Sequence, residues 1–385
     1  MAYFLVISSK WNAVLKSKGA RDYATYHYAL KASWEGDNPY TTKNLNKRAQ
    51  EDGSRRSVHP YFYPPPSLLT VVWTKPLSLM SGYRTFFWLN QFLFLLTLYN
   101  IWRWLRMPLW FLGLLAVSFT PVADTLKMGQ ANIFILCLLS FVFSRASGGA
   151  LALAAMTKMA PALLFFQWCC QERWTSVRSC LIGVVGLSLL TCLLMPVEDQ
   201  WFFYTVVLPQ FSSGEYHGLS VPINLPANHS IPDLYNQIWP GESQHRLSVT
   251  SSLASSVTNG LLLSGILMCS YCWRNKSSQR LLQGAMVCLM LIFPVYCYEH
   301  HLALLVLPLV VLWNELKREG YPYLPTVLFV TIYVFAAWPL FMLRTVQKWL
   351  PWMFWPLQES KFFAVLACAL CCLFYAYKHH RLERT

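Results

Sequence analysis

The sequence predicts an all-α polytopic membrane protein, and three observations carry that prediction. Of its 385 residues, 55% are hydrophobic and only 12% are charged, where a soluble domain carries about 25% charged residues. The charges gather in short clusters between long apolar runs. Those runs approach the roughly 20 residues that a helix needs to cross a bilayer. The whole chain, 1–385, is therefore expected as a single transmembrane domain with roughly 9–12 membrane segments. Residues 16–82 are expected as a first outer loop holding an interfacial helix, and 197–247 as a long outer loop.

The net charge of +14 does not point to nucleic acid, because Lys and Arg sit in short loops as cytoplasmic anchors do. Most of the twelve cysteines fall inside apolar runs, as in Cys169-Cys170 and Cys371-Cys372. They read as small hydrophobes. Cys269 and Cys272 lie three apart inside one such run, and neither a disulfide nor a metal is expected.

At the amino end, residues 1–15 are apolar but interrupted by Lys10 and lack a small-residue cleavage site, so no signal peptide is expected. This first helix is either short and shared with a partner or lipid defect, or the chain starts too far downstream. A polar stretch follows from Ala20 to Pro66, with Asp22 isolated among tyrosines and the block Tyr61-Phe62-Tyr63-Pro64-Pro65-Pro66 at its end. Residues 67–80, cut by Lys75-Pro76, are too short to span. They read as an interfacial or re-entrant helix started by the prolines, since proline suits a first helical turn. Spans are expected at 83–102, 108–122, 132–143, 148–170, 181–195, 251–272, 281–295, 302–313, 327–343 and 362–375.

Six short basic segments, at 103–106, 145, 173–178, 274–280, 317–318 and 378–384, are placed in the cytoplasm. The basic 16–75 stretch runs against that rule, but the other six agree with one another. Arg145 and Arg173 then share a side although only 148–170 separates them. That run holds Thr157-Lys158-Met159-Ala160-Pro161 at its middle. A lysine at membrane depth is costly and marks function, and Pro161 breaks a helix. Two readings stand: two half-helices meeting near the outer side with Lys158 at the turn, or one kinked span with Lys158 snorkelling to an interface. Under this orientation Asp22, the Tyr-Pro-Pro block, 124–132, Lys158, 197–247 and Glu299-His300-His301 all face the non-cytoplasmic side.

Each of these groups has two readings. Asp22 has the chemistry of a base that takes a proton from a sugar hydroxyl, or it caps a helix beginning at Tyr23. Gly129-Gln130-Ala131-Asn132 offers amides to hydroxyls, or simply starts a helix. Tyr298-Glu299-His300-His301 suits an acid pair, a phosphate contact or a metal site, or serves as interfacial anchors. Asn228-His229-Ser230 fits a glycosylation sequon, a triplet also frequent by chance. No phosphate loop, Ser/His/Asp pattern or Asp-x-Asp metal motif is present.

Taken in order, these residues resemble glycosyltransferase family 87, polytopic membrane enzymes that include polyprenyl-phosphate-mannose-dependent mannosyltransferases. The resemblance rests on Asp22, Pro39-Tyr40, Tyr63-Pro64-Pro65, Gly129-Gln130-Ala131-Asn132, Lys158-Met159-Ala160-Pro161, Asn228-His229-Ser230 and Glu299-His300-His301. It implies the multi-helix membrane glycosyltransferase fold with its active site on the outer face, and in a bacterium that face is the periplasmic side of the inner membrane. It implies a polyprenyl-phosphate sugar donor, mannose or a similar hexose, a lipid or glycan acceptor, inversion, and no metal or other cofactor. Asp22 is then the base. His300 or His301, with Lys158, holds the donor phosphate. Tyr63, Gln130, Asn132, Asn228 and Glu299 belong to the sugar and acceptor pocket, with the 219–230 loop over it. Family members carry a full helix before the Asp, which is where this chain departs. The alternatives are a lipid-linked sugar transporter, for which twofold internal symmetry is expected and not visible, and a non-catalytic assembly subunit.

Overall fold

The computed structural model describes residues 11–12, 21–54, 57–213, 223, 225–339, 348–349 and 351–383. Among them every regular element is helical. The short first helix expected at 1–15 lies outside the described residues except for Trp11 and Asn12. Trp11 packs on Phe87 and Trp88, with ring centroids 5.4 and 5.2 Å away.

The polar stretch is more ordered than a loop. It forms α1 (Arg21–Trp34) and α2 (Thr42–Glu51). Their buried stripes hold few strongly apolar residues: Tyr23, Tyr26, Tyr28, Ala29 and Leu30 on α1, Leu45 and Ala49 on α2. Arg48 clamps the pair, binding Glu35 and Asp37 beyond the end of α1 and Glu51 at 3.1 Å. Asp22 stands inside the first turn of α1 rather than capping a helix that begins at Tyr23. A carboxylate there still suits the positive end of the helix dipole.

The prolines do start a turn, but the expected helix over 67–80 is only a pair of 3₁₀ turns, Pro65–Thr70 and Val72–Thr74. Pro76 has no backbone donor to carry a helix onward. α3 (Leu79–Leu105) begins after Ser78, whose hydroxyl accepts the Ser81 amide at 3.3 Å. α4 (Leu109–Ser118) and α5 (Thr120–Met128) are one broken segment, bent by 52°. There follow α6 (Asn132–Arg145), α7 (Gly148–Thr157), a 3₁₀ turn at Ala160–Ala162, α8 (Leu163–Cys170) and α9 (Trp174–Thr191).

The second polar stretch holds α10 (Val197–Phe202), a π turn at Phe203–Val207, α11 (Leu208–Ser213) and α12 (Ile231–Ile238). The chain then runs through α13 (Val249–Cys272), α14 (Lys276–Ile292), a 3₁₀ turn at Glu299–Leu305 leading into α15 (Val306–Arg318), α16 (Tyr323–Ala337), α17 (Phe354–Gln358) and α18 (Ser360–Leu382).

Among the described residues four helical segments are long and apolar enough to cross a membrane alone, and five if the bent pair counts as one span. Of the other spans expected from the sequence, 83–102 falls on the 27-residue α3, 281–295 falls largely on α14, and 132–143 and 327–343 fall on the shorter apolar helices α6 and α16. Burial separates the centre from the rim. The segment Glu299–Arg318 is 83% buried, whereas α9 and α13 are each 17% buried and present apolar side chains outward, as lipid-facing helices do.

One end of the bundle collects the basic segments. Trp104 packs on Phe143 at 6.2 Å and lies under the Arg280 guanidinium at 5.0 Å. Arg173 donates to Gln279, and Arg274 pairs with Glu172 at 2.7 Å. Lys317 reaches the Arg106 carbonyl at 3.4 Å, and Lys378 pairs with Glu319. The end of α6 and the start of α9 thus lie at the same end. The segment between them goes in and returns, as two half-helices with Lys158 at the break. Ten residues of α7 rise only about 15 Å, half a bilayer.

Candidate active site

At the other end of the bundle lies a cavity of about 1510 Å³. Asp22, Tyr63, Gln130, Asn132, Lys158, Glu299, His300 and His301 all line it. They come from α1, the Tyr-Pro-Pro block, the α5–α6 junction, the α7–α8 break and the 3₁₀ turn before α15.

Gln130 organises one wall. Gly129 ends α5 with φ of +70°, and a Cβ there would lie 2.9 Å from Tyr23 Cβ and 3.0 Å from the Tyr83 ring. Only glycine combines that conformation with that close approach. The chain then turns Gln130 inward. Its Oε1 accepts the hydroxyls of Tyr26 at 3.2 Å and Tyr63 at 3.3 Å, so its Nε2 must face the other way, and it donates to Asp22 Oδ2 at 2.9 Å. Tyr26 and Tyr63 stack at 4.7 Å. Burial first, then the Asp22 carboxylate, pushes the Tyr63 phenol up to about 12. It therefore remains a hydroxyl donor at neutral pH.

Lys158 organises the adjoining stretch of wall. Its ammonium donates to Asn132 Oδ1 at 2.7 Å and lies 5.5 Å from the Tyr63 ring centre. Asn132 Nδ2 in turn donates to the His300 carbonyl at 2.9 Å, which also accepts Thr125 Oγ1 at 2.8 Å. The lysine at the break is thereby coupled to the backbone that carries the histidines. The rings of His300 and His301 meet edge to face at 4.3 Å. His301 Nδ1 accepts the Tyr298 amide at 3.0 Å. In the neutral ring this puts the proton on Nε2, which becomes a donor for a ligand.

Asn228 does not line the cavity. It is wholly buried, and its amide donates to the Ile223 and Val295 carbonyls and accepts the Cys297 amide, at 2.9, 2.9 and 2.8 Å. This residue ties the loop to the strand of chain before the histidines instead of facing a sugar. Its burial also closes it to glycosylation. Of the 219–230 loop, residues 219–222 and 224 lie outside the described residues, while Leu225 and Ala227 border the cavity.

The sequence reading missed the wall made by α13, where Ser252, Ser255, Ser256 and Asn259 line the cavity. The signal was present: Ser252, Ser255, Ser256 and Asn259 are polar positions recurring at helical spacing along one face of a membrane helix. Lys361, wholly buried behind Glu299, was missed too. Among the described residues no group of three or more His, Cys, Asp or Glu is arranged to hold a metal ion.

The wall chemistry comprises a carboxylate held by an amide, a cation beside two histidines, and a row of hydroxyls and amides. That set can bind a polyhydroxylated ligand carrying an anion. Residues 61–294, about three fifths of the chain, match the family model described as glycosyltransferase family 87. No curated protein matches the chain.

Proposed function

Because the chain belongs to glycosyltransferase family 87, we propose that it transfers a hexose, mannose or a close analogue, from a polyprenyl-phosphate donor to a lipid or glycan acceptor at the non-cytoplasmic face of a membrane. In a bacterium this is the periplasmic side of the inner membrane. The observation that carries the reading is that one cavity brings together the Gln130-held Asp22 carboxylate and the Lys158, His300 and His301 cluster.

The roles follow from the chemistry. Asp22 takes the proton of the acceptor hydroxyl as that oxygen attacks the anomeric carbon. The bond from that carbon to the phosphate oxygen breaks, its electron pair leaves with the polyprenyl phosphate, and the anomeric centre inverts. A phosphate is a good leaving group, so a second carboxylate serving as acid is not required. The charge that grows on the leaving oxygen is met by Lys158 and by the Nε2–H of His301, groups already in place before reaction. These side chains supply the positive charge, and the transfer is expected to proceed in chelator. Tyr63, Gln130, Asn132 and Glu299 offer hydrogen bonds to the sugar.

The test is transfer by purified protein from a panel of polyprenyl-phosphate sugars in chelator, with Asp22→Asn beside wild type. Loss of about 100-fold or more in the folded variant fits a general base. Equal rates would remove Asp22 from catalysis. Absence of transfer by wild type from every donor, with the lipid still bound, would move the reading to a transporter or an assembly subunit.

A further inference from the structure

Lys361 is the second residue of α18, a helix that contributes no side chain to the cavity wall. Two physical arguments weigh against a lysine there. Its exposure is 0%, and a buried ammonium is costly unless paired and hydrogen-bonded. It also stands at the amino end of a helix, where the dipole disfavours a cation. Its partners are specific. The ammonium pairs with Glu299 Oε1 at 3.0 Å and donates to the Ala336 carbonyl at 3.1 Å. Asp124, another carboxylate on the cavity wall, lies within its electrostatic reach.

Glu299 is the first residue of the turn that carries His300 and His301, and its side chain borders the cavity. A carboxylate beside an anionic donor repels it unless a cation balances the charge. We infer that Lys361 is a positioning residue: from behind the cavity wall it balances and orients the Glu299 carboxylate, so that Glu299 accepts hydrogen bonds from hydroxyls of the bound sugar without repelling the donor phosphate. This inference rests on the proposed transfer reaction. It adds that the last helix of the chain tunes the site through one ion pair, as an outer partner orients a ligand-bearing group.

The test compares wild type, Lys361→Met, Lys361→Arg, Glu299→Gln and the double variant Lys361→Met/Glu299→Gln, each checked for monodisperse folded protein. In Lys361→Met, kcat/KM for transfer is expected to fall about 10–100-fold, the range seen when outer partners of a site are removed. Lys361→Arg is expected to restore most of it. The double variant is expected to be no worse than Glu299→Gln, because Lys361 acts only through that carboxylate and the two losses do not add. Glu299→Gln also needs no counter-charge, so the double variant keeps the comparison open if Lys361→Met alone fails to fold. Wild-type rates in Lys361→Met would overturn the inference while leaving the transfer reaction standing. Full additivity in the double variant would make Lys361 a structural residue only. Absence of transfer by wild type would overturn the reaction itself and this inference with it.

Discussion

Asp233 shows how far a residue's chemistry is set by neighbours distant in sequence. It is wholly buried in the first turn of α12, and Gln237 Nε2 donates both to its Oδ2 and to Glu359 Oε1, each at 2.9 Å. Burial first, then Glu359, pushes the Asp233 carboxyl from its ordinary 3.8 up to about 8. The folded protein therefore binds this proton more tightly than the unfolded chain does. Stability linked to the group is full below about pH 4, falls as pH rises, and is lost by about pH 8. Asp233→Asn keeps an acceptor for Gln237 and removes the titration. Its melting temperature at pH 8 should exceed that of wild type by ~2 °C or more, with the gap closing toward pH 4. A gap of the same size at both pH values would refute the linkage. Nothing in the local sequence announces this shift, since Glu359 lies 126 positions away. The same limit applies to Asn228, whose tripeptide reads as a sequon but whose amide is spent on backbone groups of the Val295 and Cys297 region.

Among elements, the half-helix α7 packs tightly on α9. A Cβ on Gly148 would lie 2.3 Å from the Ser176 carbonyl oxygen and 2.7 Å from the Cys180 nitrogen of α9, both rigid backbone atoms, whereas a Cβ on Gly149 would meet nothing within 4 Å. Gly148→Ala should cost about 1–3 kcal/mol as an overpacked contact. Gly149→Ala should be neutral or gain up to ~1 kcal/mol from helix propensity. Thermal melts of the two variants in detergent check this, and equal melting temperatures would show that α7 and α9 do not meet at Gly148. The break that makes α7 a half-helix was legible, because a lysine and a proline three residues apart cannot continue an apolar helix in lipid. α1 was legible only as one of two readings of Asp22, and α2 was not legible. Their buried faces rest mostly on tyrosine and alanine with one leucine each, Leu30 and Leu45, too few for hydropathy to separate them from a polar loop, and their packing is fixed by Arg48, a charged residue. The polar face of α13 was overlooked because serine on a membrane helix is unremarkable until a cavity lies against it.

At the scale of the molecule, the two ends differ in kind. One gathers Trp104, Arg173, Arg274, Arg280, Lys317 and Lys378, and the other gathers Asp22, Gln130, Lys158 and the histidines around the cavity. Charge counting anticipated the partition because short basic loops report on a side of the membrane independently of how helices pack. It did not reveal which outer residues touch, since Gln130 and Asp22 are 108 positions apart and no local period connects them. The partition has a direct consequence. In the proposed orientation the cavity end, with the exposed loop around Glu242, faces away from the cytoplasm, and the exposed Arg381 in the last turn of α18 faces it. In a background with the exposed Cys192 and Cys272 replaced by serine, Glu242→Cys should react with a membrane-impermeant maleimide in sealed cells. Arg381→Cys should react only after permeabilisation. Reaction of Arg381→Cys in sealed cells would invert the orientation and place the cavity on the cytoplasmic side. A polyprenyl-phosphate donor presented at the outer face would then have no path to Asp22. Equal reaction of both before permeabilisation would mean that an even number of crossings separates them, whereas α13, α14, Glu299–Arg318, α16 and α18 supply an odd number, and the crossing assigned to one of those segments would be the first element to re-examine.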